Sequence, residues 1–283
     1  MIASIVIFAA LGGGAAWLVF SRQGEPGLRD ERRVKWARDN AESIGEEVLL
    51  VIRQGKAPSP SALIVAARSF VYNNTVHDGK RKPYAKAEPY AAWRMLQCAR
   101  KNAPKLRMTC GPRAYALKWI LECAGIRSRR VQVYSGTKDK IRGHRFLDVL
   151  NPDTGRWEIQ DPSNDITYRR VDTGAPVTTE ELVFGDLGRI EPISSAARRG
   201  WKACGVLPLR EEYFQAMWYE EARPRLILIN RARLDVEKTF SRDGGMTFDQ
   251  WARDLYGKHG LRAVVIRMGR HRKGDLGKAH TRR

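Results

Sequence analysis

The spacing of apolar residues predicts several helices in the first half of the chain. Hydrophobic residues recur every three or four positions at 34–52, 61–73 and 88–102, and again in a segment that starts at Cys110. This spacing places the apolar side chains on one face of a helix. Gly125 follows the last segment and can take the left-handed conformation that ends a helix.

Alternation of apolar and polar residues predicts an antiparallel sheet after these helices. The segment 126–134 alternates as a strand does, and a polar loop at 135–143 follows. His144 opens a second strand, a turn at 151–155 reverses the chain, and the returning strand ends at Asp161. Because the last two strands pair, we expect the His144 and Asp161 side chains to be neighbours.

The C-terminal third is predicted to be mixed in structure. Thr178 and Glu181 have the spacing of a capping box, which predicts a short helix. The pattern then indicates an aromatic-rich helix, a strand, a second helix and a second strand at 209–222, 225–230, 247–256 and 261–268. We interpret the aromatic residues as core packing and assign this region no function.

The first 20 residues carry no charge. A helix of about 20 residues spans the roughly 30 Å core of a bilayer. A cleaved signal peptide is the alternative, but no basic segment precedes the apolar stretch. We therefore expect an uncleaved single-pass anchor. Basic residues follow the span and none precedes it, so the positive-inside rule favours a cytoplasmic body and leaves the outer face as the alternative.

Charge and cysteine usage narrow the class of protein. The net charge of +20 and a basic tail at 269–283, expected to be disordered, favour attraction to anionic lipid, with a merely solubilising tail as the alternative. Nucleic acid is a less favoured partner, because no aromatic-interleaved binding motif accompanies the basic residues. The cysteines lack Cys-x-x-Cys metal spacing and fit a reducing compartment; they are Cys98, Cys110, Cys123 and Cys204.

Cys110, His144 and Asp161 are candidates for a catalytic site. A cysteine at a helix N-terminus is favoured as a thiolate, which is the reactive form. An imidazole held by a carboxylate beside such a thiol is an arrangement of nucleophile, base and orienting group. Taken singly, the three could be a small core residue, a structural histidine and a turn residue. Their order on helix, strand and strand indicates catalysis.

Four motifs carry a resemblance to a known family. Cys-Gly-x-Arg-Ala before an apolar helix is followed by Gly-Ile-x-x-Arg-x-Val, His-x-x-x-x-Val and Gly-x-Trp-x-x-x-Asp-Pro. Together they resemble the transglutaminase-like superfamily of papain-like thiol enzymes, over roughly residues 70–182. The resemblance implies an α+β fold in which a helix-borne cysteine packs on an antiparallel sheet that carries the histidine and the aspartate.

The resemblance also implies roles for individual residues. Cys110 would be the nucleophile, with its backbone N–H as one oxyanion donor, His144 the base and acid, and Asp161 the orienting group. No metal or organic cofactor is implied. Asp148 stands where many relatives have Glu. The remaining candidates are three possible oxyanion side chains, interpreted as packing, and one loop histidine, interpreted as a surface residue: Tyr90, Trp93, Gln97 and His77.

We therefore expect a membrane-anchored thiol enzyme that cleaves amide bonds in a protein, peptide or other amide through a thioester. Transamidation, as in protein cross-linking, is the alternative reaction. A non-catalytic scaffold in envelope or surface-polysaccharide assembly is the alternative function. The expected division is an anchor, a juxtamembrane linker and helix, the catalytic core, an α/β region and the tail, at 1–20, 21–60, 61–185, 186–268 and 269–283. The sequence leaves the oligomeric state open.

Overall fold

The computed structural model describes residues 26–54, 59–77, 88–137, 140–194, 216–219 and 227–229. The fold is α+β, with helices concentrated before the main sheet. The described helices are α1 Pro26–Asp39, α2 Ala41–Gln54, α3 Pro60–Asn73, α4 Glu88–Ala99, α5 Cys110–Cys123 and α6 Thr179–Phe184, with a short 3₁₀ turn at Leu187–Arg189. The described strands are β1 Thr75–His77, β2 Leu106–Met108, β3 Ser128–Thr137, β4 Lys140–Asn151, β5 Arg156–Gln160, β6 Ile166–Arg170, β7 Ile190–Ser194, β8 Ala216–Tyr219 and β9 Ile227–Ile229.

The main sheet has five strands in the order β5-β4-β3-β8-β9, and the described pairs in it are antiparallel. Two smaller sheets accompany it, a parallel pair of β1 with β2 and an antiparallel pair of β6 with β7. The long β3–β4 hairpin forms the middle of the main sheet. β4 therefore has β3 on one side and β5 on the other.

Two hydrophobic cores cover opposite faces of the part of the main sheet that β3, β4 and β5 form. Leu147 and Val149 of β4 pack with the helices α2 to α5. Phe146 lies on the other face, in a second core with residues of β3, β5, β6 and α6. Alternation along β4 explains this division, because successive side chains of a strand point to opposite faces.

The predicted end of the Cys110 helix is confirmed. Gly125 has a φ of +72°. The Ile126 N–H donates to the Leu121 carbonyl at 2.9 Å, and the Gly125 N–H donates to the Glu122 carbonyl at 2.9 Å. These two bonds form the Schellman motif, which satisfies carbonyls left over at the helix end. The capping box at Thr178 is also confirmed.

Three predicted elements differ from the structure. The predicted helix at 34–52 is two helices, α1 and α2, which meet at Asn40. The Trp36 carbonyl accepts there from both the Asn40 backbone N–H at 3.0 Å and the Asn40 side-chain amide at 2.7 Å. The prediction of a loop at 135–143 is wrong, because the pairing of β3 with β4 continues as far as Thr137 and Lys140. Backbone pairing tolerates the polar side chains there, and it puts His144 inside β4 rather than at its start.

The prediction of an aromatic-rich helix at 209–222 is also wrong for residues 216–219, the part of this range that the structure describes. Residues 216–219 form β8, which pairs with β3 on one side and β9 on the other. Aromatic and branched residues suit a strand when a partner edge is available, and pattern alone does not reveal that edge. The predicted strand at 225–230 is confirmed as β9, over a shorter range.

Several expectations lie outside the described residues. They are the anchor at 1–20, the helix at 247–256, the strand at 261–268 and the tail at 269–283. Within the described part of the chain, no helix combines the length and the apolar character that a bilayer crossing needs.

Candidate active site

Cys110 is the first residue of α5, where a helix leaves N–H groups without partners inside the helix. Thr109, the N-cap residue, is extended, with φ −81° and ψ 177°. Pro112 fits the first turn, since its missing N–H costs no helical hydrogen bond. The local sequence thus ends the short strand β2 and begins a helix at the thiol itself.

His144 lies on the part of β4 that continues past β5. Registered pairing between β4 and β5 stops at Leu147 and Gln160, although β4 extends back to Lys140. At this open edge the backbone N–H of Arg145 donates to the Cys110 sulfur. The thiol therefore sits where another strand would otherwise continue the ladder.

Asp161 immediately follows β5. The register that pairs Leu147 with Gln160, continued by one residue, puts Asp161 opposite Phe146 and therefore on the same face as His144. Its carboxylate is fully buried. One oxygen, Oδ2, is 2.9 Å from His144 Nε2 and accepts a bond from Asn164 Nδ2 at 2.8 Å. The other, Oδ1, accepts the Ser163 N–H at 2.8 Å. Three donors thus hold the carboxylate in place.

The structure brings the three candidate residues together. His144 makes side-chain hydrogen bonds to Cys110 and to Asp161. Because Nε2 faces Asp161, the other ring nitrogen, Nδ1, is the one available to the thiol. The histidine side chain is 12% exposed and that of Asp161 is 0% exposed, so the imidazole connects a buried carboxylate to a partly accessible sulfur.

The electrostatics of the site favour an ion pair of thiolate and imidazolium. Burial alone would raise the pKa of Cys110, but the hydrogen bond and charge of His144, with the Arg145 N–H, lower that pKa overall. Burial would likewise lower the pKa of His144, but the charge of Asp161 and its hydrogen bond raise it. The pKa of Asp161 is lowered despite burial, chiefly by the His144 charge. All three shifts point to charged forms.

Two buried arginines support the loop that carries Asp161. Arg113, one turn along α5 from Cys110, donates from Nη1 to the Ser163 carbonyl at 3.0 Å. Arg68 of α3 contacts Asp165 Oδ1 at 3.0 Å and Gln160 Oε1 at 2.6 Å. In the sequence, Arg113 is part of the cysteine motif but has no evident role there, and no local pattern marks Arg68.

The other residues considered from the sequence lie elsewhere. Asp148 is buried and accepts hydrogen bonds from Arg129 at 3.0 Å and from the Thr179 hydroxyl. Trp93 packs against Trp36 and Tyr90, with ring centroids 5.3 and 5.7 Å apart, as expected of a packing residue.

Two sets of residues remain, the polar candidates Gln97 and His77 and the other cysteines. Gln97 lies on α4, and His77 is exposed at the end of β1. Cys98 and Cys123 are free thiols on α4 and α5. Among the described residues, no group of three or more His, Cys, Asp or Glu side chains is placed to hold a metal ion. Cys204 lies outside the described residues.

Comparison with known proteins gives little more. No family model matches the sequence, and no curated protein matches it. A candidate cysteine protease from Cytophaga hutchinsonii is 13% identical with a TM-score of 0.31, over 42% of this chain and 37% of that one. A candidate protease from Parabacteroides distasonis is 17% identical with a TM-score of 0.30, over 60% of this chain and 28% of that one. The chain spans well under two thirds of the length of either structure.

Proposed function

We propose that the protein is a thiol-dependent acyl-transfer enzyme that hydrolyses amide bonds through Cys110, His144 and Asp161. One observation carries this proposal. The Cys110 thiol at the start of α5 is hydrogen-bonded to an imidazole whose Nε2 lies 2.9 Å from a fully buried carboxylate. A helix-terminal thiol with such a base and orienting group can supply a nucleophile at neutral pH.

The first half of the reaction makes a thioester. The Cys110 thiolate attacks the amide carbonyl carbon, and the developing oxyanion is held by the Cys110 backbone N–H at the helix terminus. The tetrahedral intermediate collapses, and the carbon–nitrogen bond breaks. His144 gives its proton to the departing amine and becomes neutral, while Asp161 keeps the ring oriented throughout.

The second half releases the acyl group. Neutral His144 takes a proton from water, which attacks the thioester carbonyl; the carbon–sulfur bond then breaks, and the thiolate and imidazolium are restored. An amine in place of water would complete a transamidation. We favour water, because the papain-like enzymes that the motifs resemble include bacterial proteases and amidases.

We further propose that residues 1–20 anchor the enzyme in a membrane, with the catalytic core on the cytoplasmic side and a protein, peptide or other amide as substrate. The uncharged first 20 residues and the basic residues that follow support this placement. Basic segments near anionic lipid would add about 1 kcal/mol of attraction for each charge close to the surface.

Trapping of the acyl-enzyme tests the proposed reaction. Full-length protein in lipid nanodiscs is incubated with a mixture of peptide amides and p-nitrophenyl esters, quenched in acid and analysed by intact and peptide mass spectrometry. We expect an acyl adduct on Cys110 and its loss in Cys110→Ala. Cys123→Ala is the matched control, because Cys123 is an exposed thiol at the other end of the same helix.

The acceptor is identified in the same reaction by adding methylamine. A product acid that forms at an unchanged rate supports hydrolysis, whereas methylamide formed at the expense of acid indicates transamidation. An adduct that appears equally on Cys123, or none on Cys110 with any ester, would reject the proposed enzyme and favour a scaffold.

A further inference from the structure

The side chain of Arg145 lies along the first turn of the helix that carries the nucleophile. A Cβ atom added to Gly111 would be 3.2 Å from Arg145 Nη1 and 3.4 Å from its Cδ. The same Nη1 donates to the Tyr115 hydroxyl at 3.4 Å. Gly111 and Tyr115 are about 6 Å apart along a helix axis, so the guanidinium covers the turn that begins at Cys110.

The Arg145 side chain is held in this position by Gln132 on the neighbouring strand β3. Gln132, which pairs with Arg145 in the β3–β4 ladder, accepts a hydrogen bond from Arg145 Nε through its Oε1. Gln132 is buried, so its amide is a fixed support. The backbone N–H of Arg145 meanwhile donates to the Cys110 sulfur. One residue therefore fixes a cation and the nucleophile relative to each other.

A second guanidinium shares the same aromatic ring. The Arg130 guanidinium carbon is 4.5 Å from the Tyr115 ring centroid, and that of Arg145 is 5.9 Å from it. Arg130 lies two residues before Gln132 on β3, so its side chain is on the same face of the sheet. Two cations thus contact the Tyr115 ring, and Arg145 also reaches the first turn of α5, where the helix N-terminus favours negative charge.

We propose that Arg145, with Arg130, binds a carboxylate of the substrate next to the amide that Cys110 attacks. This inference rests on the proposed function and adds a substrate class to it, namely amides that carry an acidic group near the scissile bond. A guanidinium matches a carboxylate in shape and can bind it through two parallel hydrogen bonds. Arg145 is then a specificity-determining residue that faces the substrate from the side opposite His144.

Two alkylating reagents test this without any turnover. Iodoacetate carries a carboxylate, and iodoacetamide is its neutral counterpart of nearly equal size. The measurement is the ratio of their rate constants at Cys110, followed residue by residue by mass spectrometry at pH 7. We expect Arg145→Gln to lower this ratio about ten-fold, as loss of one charge-assisted hydrogen bond would. Arg145→Lys should retain part of the preference, since it keeps the charge but loses the planar fork.

The matched control is Arg156→Gln, which removes one positive charge at the opposite end of β5 from Asp161. It should leave the ratio at its wild-type value. An unchanged ratio in Arg145→Gln overturns the proposal, and so does an equal fall in Arg156→Gln, which would reveal only a general field. The pH dependence of the iodoacetamide rate reports separately on the thiolate, so an ordinary Cys110 profile would reject the proposed enzyme while the ratio still tests Arg145.

The source of the carboxylate is read from protection of Cys110 against iodoacetamide. N-acetylglutamate α-amide presents a side-chain carboxylate, N-acetylalanine presents a terminal one, and N-acetylglutamine α-amide presents neither. Protection by the first assigns an acidic side chain, and protection by the second assigns a chain terminus; either should weaken about ten-fold in Arg145→Gln. Equal protection by all three, protection by none of them, or protection that survives Arg145→Gln contradicts carboxylate binding.

Discussion

Replacement of Asp161 by Asn tests the ion pair most directly. The substitution keeps the size of the side chain but removes the negative charge that raises the pKa of His144. Asp161 also repels the thiolate, but that effect is the weakest of those acting on Cys110, and the hydrogen bond and charge of His144 are stronger. The expected net result is a thiol with a higher pKa in Asp161→Asn.

The magnitude follows from the bond that is lost. A hydrogen bond to a charged group contributes about 1.5–3 kcal/mol, and 1.36 kcal/mol corresponds to a ten-fold change in an equilibrium. The equilibrium constant for the thiolate–imidazolium pair at pH 6 should therefore fall roughly ten- to a hundred-fold. Since only the thiolate reacts with iodoacetamide, the alkylation rate of Cys110 at that pH should fall by up to this factor and recover as the pH rises.

Asp148→Asn is the matched control for this experiment. Asp148 is equally buried and accepts bonds from Arg129 and Thr179 rather than His144. Its replacement should lower stability and leave the Cys110 profile in place. A wild-type profile in Asp161→Asn, or the same shift in both variants, would refute the coupling of carboxylate, imidazole and thiol.

Three further predictions concern stability. The pKa of Asp161 is lowered by folding, so the ionised carboxylate stabilises the folded wild type relative to Asp161→Asn. This difference in unfolding free energy should be complete above the unfolded-state pKa of about 3.9 and should vanish as the pH falls through the lower folded-state pKa. Urea titrations between pH 6 and 3 measure it. Arg68→Met removes the cation 3.0 Å from buried Asp165 and should cost about 3–5 kcal/mol in urea unfolding, whereas Arg189→Ala, at an exposed pair 3.9 Å long, should change little. Gly125→Ala should lower the unfolding free energy by about 1–2 kcal/mol, because φ is +72° there and nothing else lies within 4 Å; Gly125→Asn should cost less, and an equal cost for both would contradict the backbone explanation.

Local pattern was sufficient where the determinant of structure is local. The start of α5 at Cys110 follows from the Gly-Pro pair and the apolar spacing behind it. The closeness of His144 and Asp161 follows from a turn at 151–155 and the two-residue period of the strands on either side. Their roles in catalysis remain predictions, because contact alone does not establish turnover.

Local pattern failed where a distant partner decides. Residues 216–219 form a strand because β3 offers them an edge, and that edge lies some 80 positions earlier in the chain. Arg68 was not found because its partners, Gln160 and Asp165, are separated from it by 92 and 97 residues. The strand pattern also does not mark Arg145. It is next to His144 in sequence, but its side chain points to the opposite face of the strand.

The two faces of β4 separate the two roles proposed for the site, proton transfer and substrate binding. His144 points to the face that holds Asp161, where buried donors hold the carboxylate. Arg145 points to the face of α5, where its guanidinium is held by Gln132 and Tyr115 beside Cys110. Cys110 can serve both because it meets the open edge of the strand, between the faces. A one-residue slip in the β4 register would exchange the faces of His144 and Arg145, so the ladder that sets this register also separates the residue proposed to transfer protons from the residue proposed to bind the substrate.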